Sequence, residues 1–201
     1  AVNCLIYWGS SALTAGRYHF DFTMAFDREV PLLPVFVWFY ILAFPFWAVG
    51  YLLAARRGKD MFYRFVATDL TIHFICFICF ILIPTTNIRP EIPGNTLSEK
   101  ILALVYSLDG GNSPSNLFPS IHCYVSWMCW KGVEGSEKVP KWYQRFSLVF
   151  AILIIISTQV LKQHYIVDAA AALLLVEFFW RFYQKGQRHK WVVHIFANEK
   201  K

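Results

Sequence analysis

The chain has 201 residues, 57% of them hydrophobic and only 16% charged, with a formal net charge of +6. Soluble domains carry roughly 45–50% apolar and about 25% charged residues, so the composition excludes an ordinary water-soluble globule. The basic excess is not a nucleic-acid patch either. Fourteen of the nineteen lysines and arginines fall into three separate clusters: Arg56, Arg57, Lys59 and Arg64; Lys131, Lys138, Lys141 and Arg145; and Arg181, Lys185, Arg188, Lys190, Lys200 and Lys201.

Residues 1–15 are mainly apolar and predict a first membrane span. The stretch is short and does not begin with Met, so an upstream part is expected. Pro34–Ala55 and residues 65–83 are long apolar runs that predict the second and third spans. A bilayer takes about 20 residues of helix to cross, and backbone polar groups in lipid must be satisfied within the segment, which selects helices. The third run holds Asp69 and His73, four residues apart, which are expected to form a buried structural pair. Cys4, Cys76, Cys79, Cys123 and Cys129 all lie in apolar segments and are read as small hydrophobes, with neither a disulfide nor a metal role.

Residues 86–120 form a long polar loop with an apolar helical patch at 101–108, expected to lie as a lid over whatever site this end carries. The stretch FPSIHCYVSW then opens a short fourth helix at Pro119, a residue suited to a first helical turn. Residues 146–161 and 166–183 predict two more spans. The expected architecture is therefore an all-α integral membrane bundle of about six transmembrane helices, multi-pass, in one domain over 1–201. Basic residues favour the cytoplasmic side, and six spans put all three basic clusters there.

That threading brings Arg89, Ser120, His122, Lys162, His164 and Asp168 to the opposite, extracytoplasmic face. Arg89 is expected to emerge there at the surface. Each residue alone has a plain reading: an interfacial arginine, a helix-capping serine, a hydrogen-bonded histidine. Ionisable groups converging at membrane depth instead point to function. A helix start offers free N–H groups to phosphate, and Arg89 offers a planar fork matched to phosphate oxygens. His164 has Asp168 one helical turn on, the partner that holds a nucleophilic or basic imidazole in one tautomer. His122 remains available as the acid for a leaving oxygen. No acidic cluster suited to Mg²⁺ is evident, so metal-independent chemistry with no cofactor is expected. Two histidines at one end of a bundle could also hold a haem, but a haem has no use for Arg89 or for the carboxylate beside His164.

The segments PSIH and STQVLKQHYIVD resemble the second and third motifs of the type-2 phosphatidate phosphatase superfamily, P-S-x-H and S-R-x5-H-x3-D. Arg89-Pro90 is similar to the end of the first motif, K-x6-R-P. The resemblance runs from the second span to the sixth and implies a six-helix membrane enzyme acting on a lipid phosphate without metal. It implies His164 as a nucleophile forming a phosphohistidine, Asp168 orienting it, His122 as the acid, and Arg89 and Ser120 as phosphate ligands. Asn116 and Phe118 are similar to positions just ahead of the second motif, which makes Asn116 a candidate substrate contact. The first-motif lysine and third-motif arginine fall at Leu82 and Thr158. Lys162 is the candidate replacement for one of these cations. The sphingolipid-synthase branch lacks the same cations, so the acceptor stays open between water and a lipid alcohol. The partners implied are the bilayer and a membrane lipid phosphate, and oligomeric state is not legible.

Overall fold

The computed structural model describes residues 2–111 and 113–197. Lys200 and Lys201 of the basic tail and Ala1 of the first expected span lie outside the described residues. The chain is an all-α bundle: α1 (Val2–Thr14), α2 (Ala25–Glu29), α3 (Val37–Ala55), α4 (Lys59–Leu82), α5 (Leu97–Leu108), α6 (Ile121–Val133), α7 (Lys141–Val160), α8 (Ile166–Gln184) and α9 (Lys190–Ala197). A 3₁₀ turn at Pro34–Phe36 leads into α3. Two-residue strands β1 (Phe20–Asp21) and β2 (Thr85–Thr86) pair in parallel at the motif-bearing end.

Among the described residues three helices are long and apolar enough to cross a membrane: Pro34–Ala55, Lys59–Leu82 and Lys141–Val160. The expected run at 65–83 thus begins a turn and a half earlier, because apolar composition marks only the part suited to lipid. Arg64 belongs to α4 and donates to the last carbonyls of α8, at Tyr183 (2.8 Å) and Gln184 (2.7 Å), a favourable place for a cation. α8 has 19 residues but carries Asp168, Glu177 and Arg181.

α6 is the short central helix and packs against α3, α4, α7 and α8. Its Cys123, Tyr124, Val125, Met128 and Cys129 are buried among Phe65, Ile72, Cys76 and Phe80 of α4, Ala43, Phe46 and Trp47 of α3, and Ala151 and Ile154 of α7. Gly50 permits the close approach of α3. A Cβ there would lie 2.6 Å from Cys129 Sγ. The outward faces carry exposed Leu52, Phe74, Val149, Leu174 and Phe178, the reverse of a helix bundle built for water. Cys76, Cys79, Cys123 and Cys129 are free thiols.

Thirteen residues of α6 span only about 20 Å at 1.5 Å each, so the irregular segment before it descends into the bundle. Irregular backbone at that depth needs protein partners. The Thr85 hydroxyl supplies them, accepting from the N–H groups of Leu117 (2.9 Å) and Phe118 (3.0 Å). The Asp69–His73 pair closes at 3.4 Å and extends to a four-residue network. Tyr51 donates to Asp69 at 2.7 Å, and the Tyr124 hydroxyl lies 2.7 Å from the His73 ring.

Candidate active site at the head of α6 and the α7–α8 turn

The α7–α8 turn is built around one left-handed residue. Lys162 has φ +54°, and the Thr158 carbonyl accepts from both following amides, Gln163 (2.9 Å) and His164 (3.1 Å). The reversal sends Lys162 outward and the next side chain, Gln163, inward, where it is 1% exposed. Tyr165 is the N-cap of α8 and Asp168 its third residue, so Asp168 Oδ2 accepts from the Tyr165 N–H at 3.0 Å in the return arm of a capping box. The same oxygen lies 3.2 Å from His164 Nδ1. One fully buried carboxylate therefore ends the helix and orients the imidazole.

At the head of α6 the structure departs from the expected start at Pro119. The helix begins at Ile121 with Ser120 as its N-cap, and Ser120 Oγ accepts from the Cys123 N–H at 3.2 Å. The Phe118–Pro119 peptide is cis, and Pro119 lies two residues ahead of the first helical residue. The Ser120 N–H donates to the Asp168 carbonyl at 3.3 Å, tying the two motifs through the main chain. At the second position of α6, the His122 ring stacks on Tyr40 (4.3 Å between centroids) and is flanked by Trp47 (5.1 Å) and Phe44 (5.9 Å). Its centroid lies 6.2 Å from that of His164.

Arg89 is not at the surface as expected; it is 3% exposed. Its Nη1 donates to the carbonyls of Asp109 (3.0 Å) and Gly111 (3.2 Å), and its Nη2 to Asp109 Oδ2 (2.5 Å) and Gln163 Oε1. The guanidinium also lies 4.7 Å from the centre of the Tyr106 ring. The long loop is thus latched inward through the C-cap of α5, and Asp109 is held from a second side by the Tyr7 hydroxyl.

Two expected ligands are placed differently. Lys162 Nζ donates to the main-chain carbonyls of Asp27 (2.7 Å) and Val30, so the structure does not bring it to the histidines. Burial holds its ammonium below the usual lysine range, with Asp27 offsetting part of that effect. Asn116, at φ +60°, spends its amide N–H₂ on the Tyr7 carbonyl (2.8 Å) and Ser10 Oγ (3.0 Å) of α1. It serves as a clasp between the lid loop and α1.

Buried polar atoms are nearly always hydrogen-bonded, and the exceptions call for an explanation. Among the described residues eight buried side-chain atoms have no partner, and six of them belong to this end: Asn87 Oδ1, Arg89 Nε, Asn116 Oδ1, His122 Nε2, Gln163 Nε2 and Asp168 Oδ1. Of these, Arg89 Nε and Gln163 Nε2 are donors suited to an oxyanion and His122 Nε2 can give or take a proton, whereas the three Oδ1 atoms are acceptors.

The profile of a protein family described as the PAP2 superfamily matches residues 16–181. The chain belongs to the PAP2 superfamily. No curated protein and no solved structure matches it. Membership makes this a phosphatase-family protein, and its three membrane-length apolar helices make it a membrane protein.

The PAP2 resemblance also sharpens two departures. Leu82, where the first-motif lysine would stand, is 65% exposed on the outside of α4. Thr158, where the third-motif arginine would stand, is buried against α6, donating to the Ile155 carbonyl at 2.7 Å and touching Cys123 Sγ at 3.5 Å. Sequence reasoning missed Gln163, Asp109, Asp27 and the α3 rings around His122. Gln163 had one signal, its place beside His164; the others had none short of the fold.

Proposed function

We propose that this PAP2 protein hydrolyses a lipid phosphate or diphosphate through a phosphohistidine, without metal, at the extracytoplasmic face of the membrane. The observation that carries the reading is His164 oriented by buried Asp168, with His122 across the same site. With Nδ1–H held by the carboxylate, the His164 Nε2 lone pair attacks phosphorus and the bond to the lipid oxygen breaks. His122 passes its proton to that oxygen. Water then attacks the phosphohistidine, giving a proton back to His122 and releasing phosphate and His164. Ser120 and Arg89 bind the phosphoryl oxygens, Arg89 by exchanging the Asp109 carboxylate for them.

The second reading is a lipid phosphotransferase in which a lipid alcohol replaces water. The outward Leu82, the inward Thr158 and the diverted Lys162 favour it, because they leave the site short of the cations that a phosphomonoester dianion calls for. The test incubates detergent-purified protein with EDTA and a panel of lipid phosphates and diphosphates, beside His164→Ala. Phosphate release by the wild type alone is expected. A wild type that releases none, yet moves a headgroup to added diacylglycerol or ceramide, establishes the transferase instead. Equal turnover by His164→Ala removes both readings.

A further inference from the structure

The turn that carries His164 also carries a buried group that those steps leave unused. Gln163 is 1% exposed, and its Oε1 accepts from Arg89 Nη2. A guanidinium only donates, so it fixes the amide orientation, acceptor end toward Arg89. The Nε2 end is buried and has no partner. An unmatched buried amide is costly, and this one cannot be relieved by a flip, which would set donor against donor. Its main chain is equally constrained, since the Thr158 carbonyl holds both its own amide and that of His164.

We propose that Gln163 is a phosphate-binding residue, its Nε2 donating to a non-bridging oxygen of the phosphoryl group gripped by Arg89. The inference rests on the reading of this end as a phosphoryl-transfer site. It also says what stands in for the absent cations. Lys162, one residue earlier, is turned away by its left-handed φ onto Asp27 and Val30. The same reversal delivers Gln163, so the site substitutes a neutral donor for a charge.

Gln163→Glu and Gln163→Leu together separate binding from scaffolding, because the first keeps an acceptor for Arg89 and the second removes the donor without adding a charge. The carboxylate keeps, and strengthens, the acceptor that Arg89 uses, but it removes the donor and sets a negative charge against phosphate. The probes are inorganic phosphate and orthovanadate, titrated into the purified full chain as competitive inhibitors and as direct ligands. Thermal unfolding is followed in parallel. Expected are a loss of at least 30-fold in affinity for both anions in Gln163→Glu and about tenfold in Gln163→Leu, the worth of one hydrogen bond to a charged group. The melting temperature of Gln163→Glu should stay at or above that of the wild type. Anion affinity within twofold of wild type in Gln163→Glu overturns the assignment and leaves Gln163 as an anchor for Arg89 alone. A wild type that binds neither anion and turns over no phosphate ester overturns the underlying reading instead, which the His164→Ala comparison identifies separately.

Discussion

Lys162 and Asp27 lie 135 residues apart in the chain and are joined at 2.7 Å by a bond from the lysine ammonium to the aspartate main-chain carbonyl. The Asp27 carboxylate meanwhile accepts from the Ile166 N–H and from the Met24 N–H, each at 2.8 Å. Positions 162 and 166, on either side of His164, are therefore both fastened to α2. The short helix acts as a bracket for the turn that presents His164, the proposed nucleophile.

Asp27→Ala should loosen that turn. It removes two hydrogen bonds to a carboxylate, and the expected cost is about 2–3 kcal/mol. Turnover should fall tenfold or more while the substrate KM changes little, because His164 loses its aim rather than the site its ligands. Thermal unfolding and steady-state kinetics on the same preparation check both effects.

Lys162→Met is expected to separate from it. The ammonium bonds two carbonyls at the surface of the bracket, so stability should fall by about 1–2 kcal/mol. KM should remain within twofold. A large rise in KM would return Lys162 to the list of phosphate ligands and contradict the placement of its side chain.

Asp109→Asn tests the latch. The Arg89 side chain is fully buried and pairs with Asp109 Oδ2 at 2.5 Å. Leaving a buried cation with neutral acceptors alone is destabilising, by about 2–3 kcal/mol here, with a visible drop in melting temperature. The same change removes the carboxylate that competes for the guanidinium. Inorganic phosphate should then bind several-fold more tightly, read as a lower inhibition constant.

Gly50→Ala probes the α3–α6 contact without touching the site. The added methyl would lie 2.6 Å from Cys129 Sγ and 2.7 Å from its Cβ, so one helix must move. Overpacking of this kind typically costs about 1–3 kcal/mol. His122 rests on Tyr40, Phe44 and Trp47 of the same helix, so the loss of stability should come with a fall in turnover.

Tyr124→Phe addresses the polar network inside the bundle. The hydroxyl lies 2.7 Å from His73, which in turn meets Asp69. Removing it should cost about 1–2 kcal/mol of stability and leave turnover within twofold. A collapse of activity at unchanged stability would show instead that this network serves the reaction.

The long helices were readable because crossing lipid demands apolar residues in number, and that demand is written locally. The run at Pro34–Ala55 and those at 146–161 and 166–183 end within a few residues of the observed α3, α7 and α8. The start of α6 was misread because Pro119 suits a first helical turn in general, whereas here Ser120 caps the helix and Ile121 begins it.

The His164–Asp168 pair belongs to the sequence as well. Four residues at a helix start suffice to make one carboxylate both a cap and a partner, with no distant element required. Arg89, Lys162, Asn116 and Gln163 are different. Where each of those side chains points depends on one left-handed φ at Lys162 and on groups that come from α1, α2 and α5. Sequence alone could name the residues of the proposed phosphate site and bring their segments to one end of a bundle. Only the tertiary structure decided which of them face inward, because a side chain's direction at an irregular turn is settled by its long-range partners and not by spacing along the chain.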